Sequence, residues 1–224
     1  MKSKLIVMLT HHDKTVSNAL EIFEELKDLE VECWGFKDVG LPKPKMIELT
    51  NAMKQAGKKT FLEIVSYSEE ECMNGARLAV QCGFDYLMGT IFFPSVWDYL
   101  KNEPIKYMPF VGEVSGSPSV LAGTAEEMIS QSKQLIKEGV FGFDLLAYRH
   151  RDDGEKLAYA YCAALDVPIV VAGSISTAER ITIMSRINPW GFTIGTALFD
   201  HTFKQDGGIR ANLEMVCEIM KKLP

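Results

Sequence analysis

Four ionisable side chains interrupt, or lie at the end of, apolar runs where charge is out of place. Glu63 lies inside Phe61-Leu62-Glu63-Ile64-Val65, and Asp144 inside Gly142-Phe143-Asp144-Leu145-Leu146. Lys37 follows Trp34-Gly35-Phe36, and Glu113 falls near the end of the run from Tyr107 to Val114. A carboxylate embedded in such a run needs a partner or a task, because burying an unpaired charge is costly. A lysine beside a carboxylate in a partly dry cleft can polarise a carbonyl, form a Schiff base or relay a proton. The alternative for Lys37 and Glu63 is an ion pair that only holds two strands in register. Asp144 lies early in its run, which places it low in a cleft. Glu113 leads into Val114-Ser115-Gly116-Ser117-Pro118-Ser119, a polar loop long enough to fold over a ligand.

Elements of two periods must position these groups. Short β-rich runs recur at Leu5 to Leu9, Val31 to Phe36, Thr60 to Ser66, Tyr86 to Phe92, Tyr107 to Val114, Gly142 to Tyr148, Pro168 to Ala172 and Gly191 to Leu198. Stretches of helical spacing separate them, as in Val16, Ala19, Leu20, Phe23 and Leu26. Ser68 with Glu71, Thr124 with Glu127, and Ser176 with Glu179 have capping-box spacing, and Gly57, Gly83 and Gly139 sit where helices should end. Alternating strands and helices give a parallel sheet, and eight such units in 224 residues predict one α/β domain over 1–224, a (β/α)8 TIM barrel. An open doubly wound sheet is the runner-up. It would place glycines after the first strand, where the chain reads Thr10-His11-His12-Asp13-Lys14.

A barrel of this kind builds its site at the C-terminal ends of the strands. Cations outnumber carboxylates at those ends although the formal charge of the chain is −6, which points to a small anionic ligand. Val170 to Ser176 and Phe192 to Phe199 each end a strand in small residues and lead into a helical segment, so Gly173, Ser174, Gly195 and Thr196 offer backbone N–H groups to an anion. These two segments and the eight-unit layout resemble the ribulose-phosphate-binding barrel superfamily, with its phosphate loops after strands seven and eight. That group includes histidine- and tryptophan-pathway isomerases, pentulose-phosphate epimerases and acylmannosamine-phosphate epimerases. The family usually has two glycines after strand seven, and here Gly173 is followed by Ser174. The resemblance implies a phosphate site completed by a short extra helix, expected at His201 to Gln205.

His11 and His12 follow the first strand, and neighbours on an extended segment point opposite ways, so one of them, taken as His12, faces the site. Arg149, within Tyr148-Arg149-His150-Arg151, clamps an anionic group or lies in a solvated loop. The two His and two Asp of the superfamily's metal-dependent epimerases do not line up here; the remaining combination is Glu63, Glu113 and one histidine, and no metal or other cofactor is expected. The aromatic cluster Phe92, Phe93, Trp97 and Tyr99 suits packing of a short helix at the rim.

Composition fits one soluble domain, with 47% hydrophobic and 24% charged residues. The five cysteines are odd in number and lack metal-knuckle spacing, and the N-terminal run is too short for a signal peptide; both fit a cytoplasmic protein. Net negative charge without a dense Lys/Arg run argues against nucleic acid or membrane as partner. The resulting expectation is a phosphosugar or phospho-keto-acid isomerase or epimerase that moves a proton next to a carbonyl, with Lys37, Glu63, Glu113 and Asp144 as its catalytic groups. Two alternatives stand beside it: an aldolase or lyase using Lys37, and a non-catalytic phosphate-metabolite sensor resembling the glycerol-3-phosphate-responsive antiterminators. The expected partner of the barrel, as a monomer or as a homo-oligomer, is a small phosphorylated metabolite.

Overall fold

The computed structural model describes residues 3–223. Eight parallel strands form one sheet: β1 Lys4–Met8, β2 Cys33–Lys37, β3 Lys59–Ile64, β4 Tyr86–Gly89, β5 Lys106–Met108, β6 Phe143–Leu145, β7 Ile169–Val171 and β8 Gly191–Ile194. Their order is β6-β7-β8-β1-β2-β3-β4-β5. The circle closes between β5 and β6 through one bridge, Phe110 with Asp144, where the Asp144 N–H donates to the Pro109 carbonyl at 3.0 Å. The molecule is the TIM barrel that the alternation of runs predicts.

Helices α1 Ala19–Leu26, α2 Lys43–Gln55, α3 Glu69–Cys82, α4 Pro94–Leu100, α5 Ala125–Glu138, α6 Gly154–Ala164 and α7 Ala178–Ile187 alternate with the strands. A short α8, Thr196–Phe199, and a long α9, Ile209–Lys222, complete the layer. Local chemistry explains their ends. Thr124 and Glu127 form a reciprocal capping box at the start of α5, and Gly139 ends that helix in the left-handed conformation at φ 97°. Ser68 caps α3, whereas α7 begins one residue later than its sequence signal, with Thr177 as cap.

Alternation along the strands divides the core in two. Ile6, Met8, Cys33, Phe61, Tyr86, Met88, Met108 and Val170 fill the barrel, while Leu5, Val7, Trp34, Phe36, Leu62 and Ile64 pack outward against helices. Gly35 is needed on the inner face, since a Cβ there would fall 2.7 Å from Met8 Sδ and 2.8 Å from the Phe61 carbonyl oxygen. Phe61 stacks on Tyr86 at 4.2 Å between ring centroids, and Trp190 and Phe141 close around them as a plug of the N-terminal end. By the same alternation Lys37, two residues beyond Gly35, and Glu63, two beyond Phe61, fall on the inner face toward the C-terminal end.

Several sequence-derived boundaries are corrected. The fourth strand stops at Gly89, not Phe92, because Gly89 and Thr90 both take positive φ, 76° and 68°. The fifth stops at Met108, and after a left-handed turn at Gly112 the chain forms a separate antiparallel hairpin, Glu113–Ser115 with Val120–Ala122. Glu113 therefore leaves the barrel. The sixth gives way to a 3-10 turn at Ala147–Arg149. The extra helix after strand eight is Thr196–Phe199 rather than His201 to Gln205, because the chain turns helical directly after Gly195.

Candidate active site

The strands' C-terminal ends surround a cavity of about 420 Å3. Lys37 and Glu63 lie directly opposite each other in the β2–β3 register. Lys37 Nζ is 3.6 Å from Glu63 Oε1 and 2.8 Å from Asp13 Oδ1, and the lysine and glutamate side chains are only 10% and 9% exposed. Asp13 belongs to a tight hairpin, Thr10–His11 with Lys14–Thr15, whose two turn residues, His12 and Asp13, take φ 47° and 61°. Positive φ at both central positions is the geometry of a two-residue hairpin turn, here without glycine. Thr15 fixes this hairpin to β2: the Lys37 N–H donates to Thr15 Oγ1 at 2.9 Å, and the same hydroxyl donates to the Lys37 carbonyl at 2.7 Å.

The electrostatics follow from this packing. Burial pulls the Lys37 pKa down, but the charge of Glu63, the hydrogen bond and charge of Asp13, and the charge of Asp144 together carry it above its ordinary value. Burial pushes Asp13 up, yet the Lys37 hydrogen bond and charge, with Arg149 and His12, bring it below the usual carboxylate range. Asp144 is fully buried, and neither of its carboxyl oxygens has a well-formed hydrogen bond among the described residues. Burial and then the negative charge of Glu63 push its pKa well up, while Lys37 and the nearby Gly89 N–H oppose them. Burial thus favours the protonated form of Asp144, beneath the Lys37–Glu63 pair rather than on the cavity wall.

Gly173 and Ser174 after β7, and Gly195 and Thr196 after β8, all line the cavity. Gly173 and Ser174 take φ 85° and 57°, so serine adopts at the second position a conformation that glycine reaches without strain. The Ser174 carbonyl accepts from the Arg180 guanidinium, which also lies 4.5 Å from the centre of the Tyr148 ring. The N–H groups of Gly173, Ser174, Ile175, Thr196 and Ala197 have no main-chain acceptor among the described residues. At Gly195 a Cβ would fall 2.6 Å from Thr10 Oγ1, so this position has no room for a side chain. Arg149 lies along Gly173, 3.1 Å from where a Cβ would stand, and has no carboxylate partner within salt-bridge distance among the described residues.

Of the residues singled out in the sequence, Lys37, Glu63, Gly173, Ser174, Gly195, Thr196, His12 and Arg149 come together at the cavity. Glu113 is exposed on the outer hairpin and does not reach it. The combination of Glu63, Glu113 and a histidine is therefore not assembled. His11 and His12 do not diverge as extended neighbours would: the turn at His12 sets their ring centroids 3.9 Å apart. His11 Nε2 is 2.8 Å from Asp200 Oδ1, and the His12 N–H donates to Thr196 Oγ1 at 3.2 Å. The outer hairpin leans over the opening through Pro118 and Ser119, held by Tyr67 Oη, which donates to the Gly116 carbonyl at 2.9 Å. Sequence reasoning missed Asp13, Thr15 and Asp200. The readiness of His and Asp to adopt positive φ was the one local signal for the turn that carries Asp13.

No protein-family model matches the chain, and no curated protein is detectably similar to it in sequence. Solved structures do share its fold. Orotidine 5'-phosphate decarboxylase from Pyrococcus horikoshii superposes with a TM-score of 0.67 at 11% identity, over 98% of this chain and 100% of that one. N-(5'-phosphoribosyl)anthranilate isomerase from Pyrococcus furiosus gives 0.66 at 15% identity, over 99% and 100%. N-acetylmannosamine-6-phosphate 2-epimerase from Clostridium perfringens gives 0.63 at 13% identity, over 88% and 87%. At 11%, 15% and 13% identity these likenesses show a shared (β/α)8 barrel fold. Among the described residues no helix is long and apolar enough to cross a membrane.

Proposed function

We propose that the protein is an isomerase or epimerase of a small phosphorylated sugar or keto acid, acting by proton transfer at the carbon next to a carbonyl. The observation that supports this most is Lys37, held 2.8 Å from Asp13 and 3.6 Å from Glu63 in a cavity that also contains backbone amides with no main-chain acceptor, and Arg149 with no salt-bridge partner, among the described residues. Two carboxylates keep the lysine protonated. An ammonium group has no lone pair with which to attack, but it stabilises negative charge on an enolate oxygen. Glu63 beside it is the group that moves the proton, and Asp13 is the carboxylate placed to be the second carrier of an epimerase. Asp13 must first take up a proton before it can return one to the other face of the carbon. The phosphate is held remotely by the amides after β7 and β8 and by Arg149, so its binding energy fixes the reacting carbon over Lys37. That structures sharing this fold are named as an isomerase, an epimerase and a decarboxylase of phosphorylated compounds accords with the reading. Cleavage through an imine on Lys37 would need the neutral amine, which its ion pairs oppose.

The test is solvent exchange. Candidate aldose and ketose phosphates are incubated with the protein in deuterium oxide, and label next to the carbonyl is followed by NMR. Exchange that disappears in Lys37→Met supports the reading. Absence of exchange across the panel, or trapping of substrate on Lys37 by borohydride, would turn the reading toward cleavage or away from catalysis.

A further inference from the structure

The rim of the cavity carries a cluster that the proton-transfer chemistry does not use. His11, His12 and Asp200 each present a ligand atom, and these atoms lie within 4.8 Å of one another. We propose that the three residues form a binding site for a divalent first-row transition ion, of the zinc type, with one coordination position open to the cavity.

The argument starts from the backbone. Adjacent side chains on a strand point to opposite faces, so two neighbouring histidines do not normally share a ligand. Here His12 takes φ 47° and Asp13 φ 61°, left-handed conformations that His and Asp enter more readily than most side chains do, and the consequence is that the two imidazoles lie 3.9 Å apart and 31° from parallel. The positive-φ turn is closed from outside by Thr196 Oγ1, which accepts the His12 N–H at 3.2 Å. Phe199 stacks on His11 at 5.5 Å, limiting the freedom of that ring. Asp200 then arrives from the end of α8 and brings Oδ1 to 2.8 Å from His11 Nε2.

The donor set selects the ion. Two imidazoles and one carboxylate, with no thiolate, suit zinc and its neighbours, and three protein ligands with a free fourth position are the pattern of catalytic rather than structural sites. Metal–ligand bonds of about 2.0–2.2 Å place neighbouring ligand atoms roughly 3.3–3.5 Å apart, so binding asks only for small side-chain rotations. An anion is the poorer occupant, because Asp200 would repel it. His12 and Asp200 both line the cavity, and no ring nitrogen of His12 has a hydrogen-bond partner among the described residues, so the open position faces the space beside the phosphate loops. Water or a ligand oxygen completes the shell there.

The inference is tested without substrate, which separates its failure from failure of the isomerase reading. The full-length protein is stripped with chelator and titrated with Co2+ under visible absorption, and with Zn2+ in a calorimeter, in phosphate-free buffer. One equivalent is expected to bind, giving visible bands without the near-ultraviolet band of a thiolate ligand. His12→Ala and Asp200→Asn should each weaken binding at least about tenfold. Asp200→Asn retains a side-chain oxygen for His11, so unchanged thermal stability together with lost metal affinity identifies a metal ligand rather than a structural hydrogen bond. Absence of saturable binding, a thiolate spectrum, or equal affinity in both variants would overturn the proposal.

Discussion

Asp13 and Lys37 are separated by 24 positions in the chain and meet at 2.8 Å because Thr15 bonds the N–H and the carbonyl of Lys37 and so clips the first hairpin onto the end of β2. The contact closes a row in which Lys37 lies between the half-exposed Asp13 and the buried Glu63, with Asp144 below. One cation thus offsets several carboxylates.

Removing that cation should therefore be felt in folding as well as in turnover. Lys37→Met strands Glu63 in a buried position, and loss of one partner of a buried pair costs about 3–5 kcal/mol. The pH dependence has a definite sign: the folded pKa lies above 10.5, so the stabilisation is present below about that pH and is lost as pH rises through the folded value. Urea unfolding near neutrality should show the deficit in Lys37→Met, and the parent should approach the variant in alkali. Glu63→Gln in the Lys37→Met background should restore part of the stability.

Asp144 gives the opposite dependence. Its pKa is raised by burial above the ordinary 3.8, so it is no burden below about pH 3.8, and its cost grows as pH rises from there toward the folded value. Asp144→Asn, close in shape to the protonated acid, is expected to stabilise the protein near neutrality, because it removes the cost of burying this carboxyl. Thermal unfolding at neutral and acid pH checks this. An equal gain at both would show that relief of charge burial is not the cause.

The barrel was legible because parallel strands announce themselves as apolar runs and helices as stretches of threefold and fourfold spacing. The Lys37–Glu63 pair was legible for the related reason that charge is conspicuous in such runs. Glu113 misled because the run from Tyr107 to Val114 is continuous in composition while the backbone is not: Gly112 turns it at φ 74°, and no apolar count registers that turn. Asp13 and Asp200 escaped because their positions depend on the His12–Asp13 turn and on the immediate helical start of α8. Both are fixed by tertiary contacts, Thr15 with Lys37 and His12 with Thr196.

The loop after β7 makes its own prediction. Ser174 sits at φ 57°, where a non-glycine residue carries strain, so Ser174→Gly should leave stability unchanged or raise it by about 1 kcal/mol while preserving the anion site. Gly195→Ala should do the reverse, since its methyl group would lie 2.6 Å from Thr10 Oγ1. Unfolding temperatures with and without inorganic phosphate read out both effects together.

Arg149 should separate binding from folding. It has no carboxylate partner within salt-bridge distance among the described residues, so Arg149→Met is expected to cost little stability. A charge-assisted hydrogen bond to phosphate is worth about 1.5–3 kcal/mol, so affinity for a phosphorylated ligand should fall roughly tenfold to hundredfold. Calorimetric titration of the variant measures this directly. An unchanged affinity would place the phosphate away from Gly173.

The proton carrier is the sharpest comparison, because the two glutamates that compete for this role on sequence grounds stand in different places. Glu63 lines the cavity at 3.6 Å from Lys37, whereas Glu113 projects from the outer hairpin into solvent. Glu63→Gln keeps the shape of the side chain and removes its basicity, so turnover should fall by about a hundredfold or more with ligand affinity retained. Glu113→Gln should leave turnover unchanged, and Asp13→Asn then distinguishes the two classes of reaction. Epimerisation needs carriers on both faces of the reacting carbon, so there Asp13→Asn should be as damaging as Glu63→Gln; an aldose–ketose isomerisation, in which one group makes both transfers, should tolerate it better. Deuterium exchange followed alongside product formation in each variant decides between them: exchange that persists while epimerisation stops marks loss of the second carrier alone. Full activity in Glu63→Gln would remove Glu63 from the chemistry altogether.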